Sequence, residues 1–313
     1  MGQNVLKCSS ETIEKIKYFY GDYIQDSKPP SSLFVAKSPE CTITAYRSGK
    51  VLFQGKNAEE EFSIWSHEGM QTNLAAEKKK PEKKGRYMPP AQVGTLSVIG
   101  SDEVGTGDYF GPITVCAVYI SSSQLADLHQ LGLKDSKLLK AEKINEIAED
   151  IKPKVIHKLL TLGNEKYNDL REKGMTQGKM KAMMHNQALR FVIGQLDGAE
   201  YDGILIDQFA ESGIYFNYLR GQPEVIKEKT WFQTKAESLH LSVAAASIIA
   251  REAFVKEMDQ LSAEAEMELP KGAGAHVDKA AARLIEKKGA GYLRKVAKLH
   301  FANTKRAVQL AEK

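Results

Sequence analysis

Four carboxylates in this chain stand beside apolar segments. Asp102 and Glu103 follow Leu96-Ser-Val-Ile-Gly-Ser101, Asp207 closes Gly203-Ile-Leu-Ile206, and Glu237 precedes an alanine-rich stretch over 239–250. A carboxylate at the end of a buried strand loses hydration and must be paired, protonated or bound to metal. Several together repel one another unless a cation neutralises them, and oxygen-only donors select Mg2+ or Mn2+. Each acid also has a structural explanation. Glu237 lies three residues after Thr234, which is capping-box spacing, and Asp207 can close a loop. Asp102 and Glu103 are adjacent, so a regular strand points them to opposite faces. They meet at one metal cluster only if the strand twists or bulges, with Gly100 or Gly105 as the place for it.

A glycine turn follows the first two acids: Asp102-Glu-Val-Gly-Thr-Gly-Asp-Tyr-Phe-Gly-Pro112. Gly105 and Gly107 flank Thr106, so the backbone there can approach a ligand closely and offer N–H groups. A dinucleotide-binding fingerprint is excluded, because the spacing fails and a strand follows instead of a helix. A plain hairpin turn is the alternative, and it leaves the two preceding acids unexplained.

The elements that must position these residues divide in two. Strands are predicted over 96–100, 113–120, 155–162 and 203–206, and helices over 122–131, 140–151, 179–196, 236–261 and 276–288. Strands that first follow one another closely and later alternate with helices indicate a mixed sheet flanked by helices. The methionines of 175–184 read as core filler, and 244–247 as a close-packing helix face. Arg251, Lys256, Lys287, Lys288, Arg294, Lys295 and Lys298 are candidates for a basic margin, most of them ordinary solvated charges. The loop over 271–276 is expected to be mobile, with backbone available for contact.

Ahead of this region lies a small α+β unit. Ser9 or Ser10 caps a helix with apolar positions Ile13, Ile16, Phe19, Tyr20 and Tyr23, ended by Pro29-Pro30. A strand is predicted over 33–36, a hairpin over 41–46 and 50–54 about Ser48-Gly49, and a second helix over 59–65. Cys41, Ile43 and Ala45 suit the buried face, leaving Thr42, Thr44 and Tyr46 for the other. That second face, with Lys37, Arg47, Lys50 and Lys56 nearby, suits either solvent or a sugar–phosphate backbone. Between the units, the charge run over 77–86 and Pro89-Pro90 read as a solvated linker. The expected division is 1–76, a basic linker over 77–92, and 93–313.

Composition sets outer bounds. The 313 residues are 42% hydrophobic, enough to bury a core, which excludes disorder as the main state. The balance of 44 Lys+Arg against 40 Asp+Glu gives only +4, compatible with many partners. No apolar run of about 18 residues is present to span a membrane. The N-terminus lacks an apolar signal core, and Leu6 stands where a myristoylation signal needs Ser or Thr. Three scattered cysteines argue against a disulfide framework and for a reducing compartment, so the cytoplasm is expected.

The glycine-turn block resembles the type 2 ribonucleases H. So do Leu133-Lys-Asp-Ser-Lys-Leu138, Ile204-Leu-Ile-Asp207 and Lys235-Ala-Glu-Ser-Leu-His-Leu-Ser-Val-Ala-Ala-Ala-Ser-Ile-Ile-Ala-Arg251. All four blocks occur in the family's order and span most of residues 95–260. The Gly-Thr-Gly turn, where ribonuclease HII has Gly-Arg-Gly, and Glu237, where it usually has Asp, resemble ribonuclease HIII instead. So does the extra N-terminal unit, which in that family is a TATA-binding-protein-like domain.

The resemblance implies a ribonuclease H-like mixed sheet of five strands, the first three antiparallel. It implies Asp102, Glu103, Asp207 and Glu237 as ligands of two Mg2+ ions, with Mn2+ a possible substitute. Gly105, Thr106 and Gly107 would read the 2′-hydroxyl, and Ser136 and Lys137 would meet a phosphate. The implied activity is endonucleolytic hydrolysis of the RNA strand of an RNA/DNA hybrid, leaving 5′-phosphate and 3′-hydroxyl ends. Three alternatives stay open: cleavage at single embedded ribonucleotides, a non-catalytic binding module, and a phosphohydrolase of small nucleotides. Retention of all four acids argues against the second, and the basic platform and linker have no purpose in the third. The expected partner is the hybrid alone, bound by a monomer, with no membrane and no obligate protein.

Overall fold

The alternating apolar residues of the N-terminal segment build a four-stranded antiparallel sheet. The structure, a computed structural model, describes residues 2–20, 23–37, 41–55, 57–66, 87–132 and 141–312. It divides into two units, Met1–Glu82 and Lys83–Lys313.

In the first unit the elements are β1 (Gly2–Lys7), α1 (Ser10–Phe19), β2 (Ser32–Lys37), β3 (Cys41–Tyr46), β4 (Lys50–Gly55) and α2 (Ala58–Ser66). The sheet order is β1-β4-β3-β2. Gly49 closes the β3–β4 hairpin with φ +81°, a backbone region that suits glycine. Strand β1 was not foreseen: it is an edge strand carrying little apolar pattern, and pairing with β4 from Gly2↔Gly55 to Lys7↔Lys50 is what makes it a strand.

Two expectations for this unit need correction. Helix α1, capped where the Thr12 N–H donates to Ser9 Oγ, ends at Phe19, well before Pro29. Beyond it the chain returns to the sheet, with Ile24 bridged to Ala36, so Tyr23 lies outside the helix. On β3, Cys41, Ile43 and Ala45 are buried as expected, but so is Thr44. An interior strand has neighbours on both sides, and Thr44 pairs with Val35 and Leu52. Thr42 and Tyr46 are half-buried, and Lys37, Arg47 and Lys50 are exposed. Lys56 lies outside the described residues. The core gathers Ile16, Phe34, Ile43, Phe53 and Trp65, and the Trp65 indole N–H donates to the Tyr20 hydroxyl at 3.2 Å.

The second unit comprises β5 (Val98–Val104), β6 (Ile113–Ile120), α3 (Leu125–His129), α4 (Ala141–Ile151), β7 (Ile156–Leu162), α5 (Asn164–Glu172), α6 (Gln177–Gly194), β8 (Gly203–Asp207), α7 (Ser212–Tyr218), β9 (Thr230–Gln233), α8 (Leu241–Ala265), α9 (Ala275–Lys288), α10 (Leu293–Val296) and α11 (Ala302–Ala311). Its mixed five-stranded sheet has the order β7-β6-β5-β8-β9, with β5, β6 and β7 antiparallel and β8 and β9 parallel to β5. This is the ribonuclease H-like architecture expected. Strand β9 escaped notice because Thr-Trp-Phe-Gln is too short for a pattern. The helix expected over 236–261 is broken: Ala236–Ser238 is a separate 3-10 turn, and α8 starts at Leu241. Tyr87, within the stretch read as linker, packs its ring against Phe216 and Phe232; residues 77–86 lie outside the described residues.

The two faces of this sheet are covered differently. Side chains alternate along β5, so Val98 packs with Val243 of α8 while Ile99 packs with Leu189 and Val192 of α6. Helix α8 comes so close that a Cβ on Gly100 would lie 2.3 Å from the Val243 nitrogen. No helix among the described residues is long and apolar enough to cross a membrane.

Candidate active site

The site is built at the carboxyl ends of β5 and β8. These strands are parallel and in register up to Ser101↔Ile206, so Asp102 and Asp207 come next on both and share a face. It is the α8 face: Ser247 of α8 hydrogen-bonds to the Asp102 carboxylate, and Asp102 Oδ1 also accepts the Glu103 N–H at 2.7 Å. Asp207 Oδ1 accepts the Ala236 N–H at 2.9 Å, which ties the turn carrying the buried Glu237 to the end of β8. Thr234 does not cap a helix through Glu237, because His240 is the N-cap of α8 and accepts from the Ser242 N–H.

Glu103 stands apart. Strand β5 pairs with β6 without a register break from Val98↔Ile120 to Val104↔Thr114, so there is no bulge, and Glu103 points to the α6 face. Both its oxygens are engaged there: Lys181 Nζ donates to Oε1 at 3.0 Å and His185 Nε2 to Oε2 at 2.9 Å. The other imidazole nitrogen lies 2.6 Å from Ser101 Oγ, on the same face of β5. Among the described residues, no three His, Cys, Asp or Glu side chains converge closely enough to hold a metal ion as they stand. The structure thus brings Asp102 and Asp207 to one face, starts the turn that carries Glu237 at the Asp207 carboxylate, and holds Glu103 on the other face.

The electrostatics of the two acids are opposed. Burial, then the charges of Glu103 and Asp207, push the Asp102 carboxyl up to about 8. Burial also acts to raise Glu103, but Lys181 and His185 outweigh it and hold that carboxyl at about 2. An excess of buried negative charge on oxygen-only donors fits a hard divalent cation, which would relieve the repulsion that burdens Asp102.

The glycine turn is braced by α6. Gly105 has φ +94°, and a Cβ there would meet the Pro112 oxygen at 2.3 Å, so only glycine fits. Gly107 faces open space. The Thr106 carbonyl accepts from Gln177 Nε2 at 3.2 Å. Gln177, Lys181 and His185 are spaced four apart on α6 and form one polar face running along β5. That spacing is visible in the sequence but was overshadowed by the methionines between them, of which Met180 and Met184 are indeed core. Ser247, read as a packing residue, is a partner of Asp102.

The C-terminal region corrects two further expectations. Lys298, placed on a basic margin, is fully buried and donates to the Asp108 and Gly111 carbonyls at 2.8 and 2.6 Å. Burial draws its ammonium down to about 7. The loop over 271–276 is tied to the glycine turn, since the Gly272 N–H donates to Asp108 Oδ1 and the Tyr109 N–H to the Gly272 carbonyl. Lys256, Lys287, Lys288 and Arg294 are engaged by acids of the same unit. Ser136 and Lys137 lie outside the described residues.

The family pattern "Ribonuclease HII" matches residues 99–304, and "Domain of unknown function (DUF3378)" matches residues 3–79. Ribonuclease HIII of Bacillus pumilus is 56% identical over 310 residues, covering 98% of this chain and 99% of that protein. Ribonuclease HIII of Bacillus subtilis is 55% identical, covering 100% of this chain and 99% of its own length. The crystal structure of Bst-RNase HIII in complex with Mn2+ superposes with a TM-score of 0.69 at 45% identity, covering 99% of both chains.

Proposed function

The chain belongs to the ribonuclease HIII family, and from that premise we propose that Asp102, Glu103, Asp207 and Glu237 carry a metal-dependent cleavage of the RNA strand of RNA/DNA hybrids. The activity is that of an endoribonuclease using divalent cations. Mg2+ is the cation this reading favours, with Mn2+ as substitute. The observation that carries it is the placing of Asp102 and Asp207 next after the last paired residues of two parallel strands, with the Asp102 carboxyl pushed up to about 8.

Two divalent cations held by these acids would supply an activated water and charge neutralisation at the leaving 3′ oxygen. The protein's own part is positioning. Asp102 is fixed by Ser247 and the Glu103 N–H, and Asp207 by the Ala236 N–H, so neither needs to reorganise when charge develops. No side chain serves as nucleophile. Hydrolysis leaves a 5′-phosphate and a 3′-hydroxyl.

Telling RNA from DNA requires contact with the 2′-hydroxyl. The Gly105-Thr106-Gly107 turn is the element for it: its carbonyl at Thr106 is braced by Gln177, and Gly107 leaves open space beside the backbone. Ser136 and Lys137 are assigned to a neighbouring phosphate on the family resemblance. The unit over residues 1–76 is assigned to gripping the hybrid, through exposed Lys37, Arg47 and Lys50.

A digest in Mg2+ or Mn2+ tests this reading, comparing a uniform hybrid with duplex DNA, duplex RNA and a DNA duplex holding one ribonucleotide. Cleavage is expected within RNA runs of the hybrid, with poor cleavage at the single ribonucleotide. Equal rates on those two substrates would mean that the turn reads a single junction. Deleting residues 1–85 is expected to raise the Kd for the hybrid at least tenfold while kcat changes less. Binding should also weaken steeply with salt, because phosphate contacts release counterions. Unchanged affinity with collapsed turnover counts against a gripping role.

A further inference from the structure

We propose that Lys181 is an internal counter-ion that competes with the divalent cation for Glu103, and so sets the protein's metal affinity. The inference rests on the carboxylate reading above and adds to it a residue outside the four acids.

Glu103 has both oxygens committed to α6 and a side chain only 10% exposed. A cation can reach that carboxylate only by displacing one of the two donors. His185 is the poor candidate. It is fully buried, its second nitrogen is held by Ser101 at 2.6 Å, and its ring stacks on Phe209 at 5.2 Å. Moving it would strand buried polar groups, which costs more than the lost bond.

Lys181 is built to leave. Its ammonium sits on a flexible stem and already lies 4.2 Å from the centre of the Phe209 ring. When it releases Oε1 it keeps that cation–π contact, so its charge is not left bare. The same Phe209 stacks on His185, and it lies two residues beyond Asp207, so the retreat of Lys181 stays within the site. His185 then acts as a positioning residue, holding Oε2 while Oε1 turns to the cation.

Exchange at Glu103 would free Oε1 for a cation while His185 keeps Oε2. Glu103 is the acid whose carboxylate is held by a lysine of α6. Lys181 therefore opposes cation binding through Glu103, whose Oε1 it holds.

The test is a Mn2+ titration of the full chain by calorimetry, without nucleic acid, with folding checked by circular dichroism. Lys181→Met is expected to bind Mn2+ about tenfold more tightly, a difference of about 1.4 kcal/mol. Lys181→Arg should restore the original affinity. In a Glu103→Gln background the gain from Lys181→Met should vanish. Lys181→Gln serves the same purpose if the Met variant does not fold. Unchanged or weaker binding by the uncharged variants overturns the proposal, as does a gain that persists without the Glu103 charge. Asp102→Asn in the same titration separates the two readings. Loss of Mn2+ binding there with no effect of Lys181→Met defeats the counter-ion alone. No loss there defeats the carboxylate site and the counter-ion with it.

Discussion

Asp102→Asn is expected to abolish hydrolysis and, in the same protein, to raise its stability. The loss follows from removing a charged ligand that no neighbour replaces, and a fall of about 10³-fold or more in kcat is expected. The gain follows from the burial of Asp102 beside two other acids, which lifts its carboxyl from the ordinary 3.8 to about 8. Between those values the folded protein keeps a proton that the unfolded chain releases, so this group makes stability fall as pH rises from about 4 to 8. Asn carries no such burden and still offers Oδ1 to the Glu103 N–H. At pH 8 without divalent cations, the variant should be more stable by a few kcal/mol, or about 5 °C or more in Tm. Below about pH 4 the difference should close. Mn2+ should raise the wild-type Tm at pH 8 and leave the variant unmoved. A Tm difference independent of pH would show that the charge of Asp102 is not the cause.

Gly100→Ala should be the most damaging change of a single methyl group. The added Cβ would lie 2.3 Å from the Val243 nitrogen and 2.4 Å from the Ser242 carbonyl carbon, and both are backbone atoms of α8. Backbone in the first turn of a buried helix cannot turn aside as a side chain can, so α8 must shift away from β5. Overpacking of this kind costs about 1–3 kcal/mol, and the upper end or beyond is expected here. The same shift moves Ser247 from Asp102 and displaces the turn that carries Glu237. A misplacement of about 1 Å at a catalytic group costs on the order of 10²-fold in rate. Thermal melts and hybrid digests of the Ala variant check both effects. Gly213→Ala is the control, since that glycine lies in α7 with nothing within 4 Å, and it should stabilise by about 0.5–1 kcal/mol. Equal behaviour of the two variants would mean that α8 does not rest on Gly100.

Much of the site was legible in the sequence because carboxylates at strand ends announce themselves. Asp102 follows an apolar run and Asp207 closes another; Asp207 ends β8, whereas β5 continues through both acids to Val104, beyond the span read for it over 96–100. Strand β6 was read over its exact span, since eight consecutive apolar or small residues bounded by Pro112 and Ser121 leave little choice. Short or edge elements were not legible. Strand β1 is a strand by virtue of β4, and β9 by virtue of β8, and no local pattern carries that information. Lys298 was misread for a related reason: a lysine's default is solvent, and only the fold shows two carbonyls waiting for it.

What the sequence determined by itself was the inventory: the acids, the glycine turn between two strands, the family, and a chemistry that suits hard cations. Those depend on residue type and short-range spacing, which the chain carries without folding. What only the tertiary structure decided was the facing. Alternation on an unbroken β5 sends Asp102 to α8 and Glu103 to α6, and the partners on those helices, Ser247 on one side and Lys181 with His185 on the other, come from 78 or more positions away. Contacts that distant in the chain exist only once two helices have packed on opposite faces of one sheet.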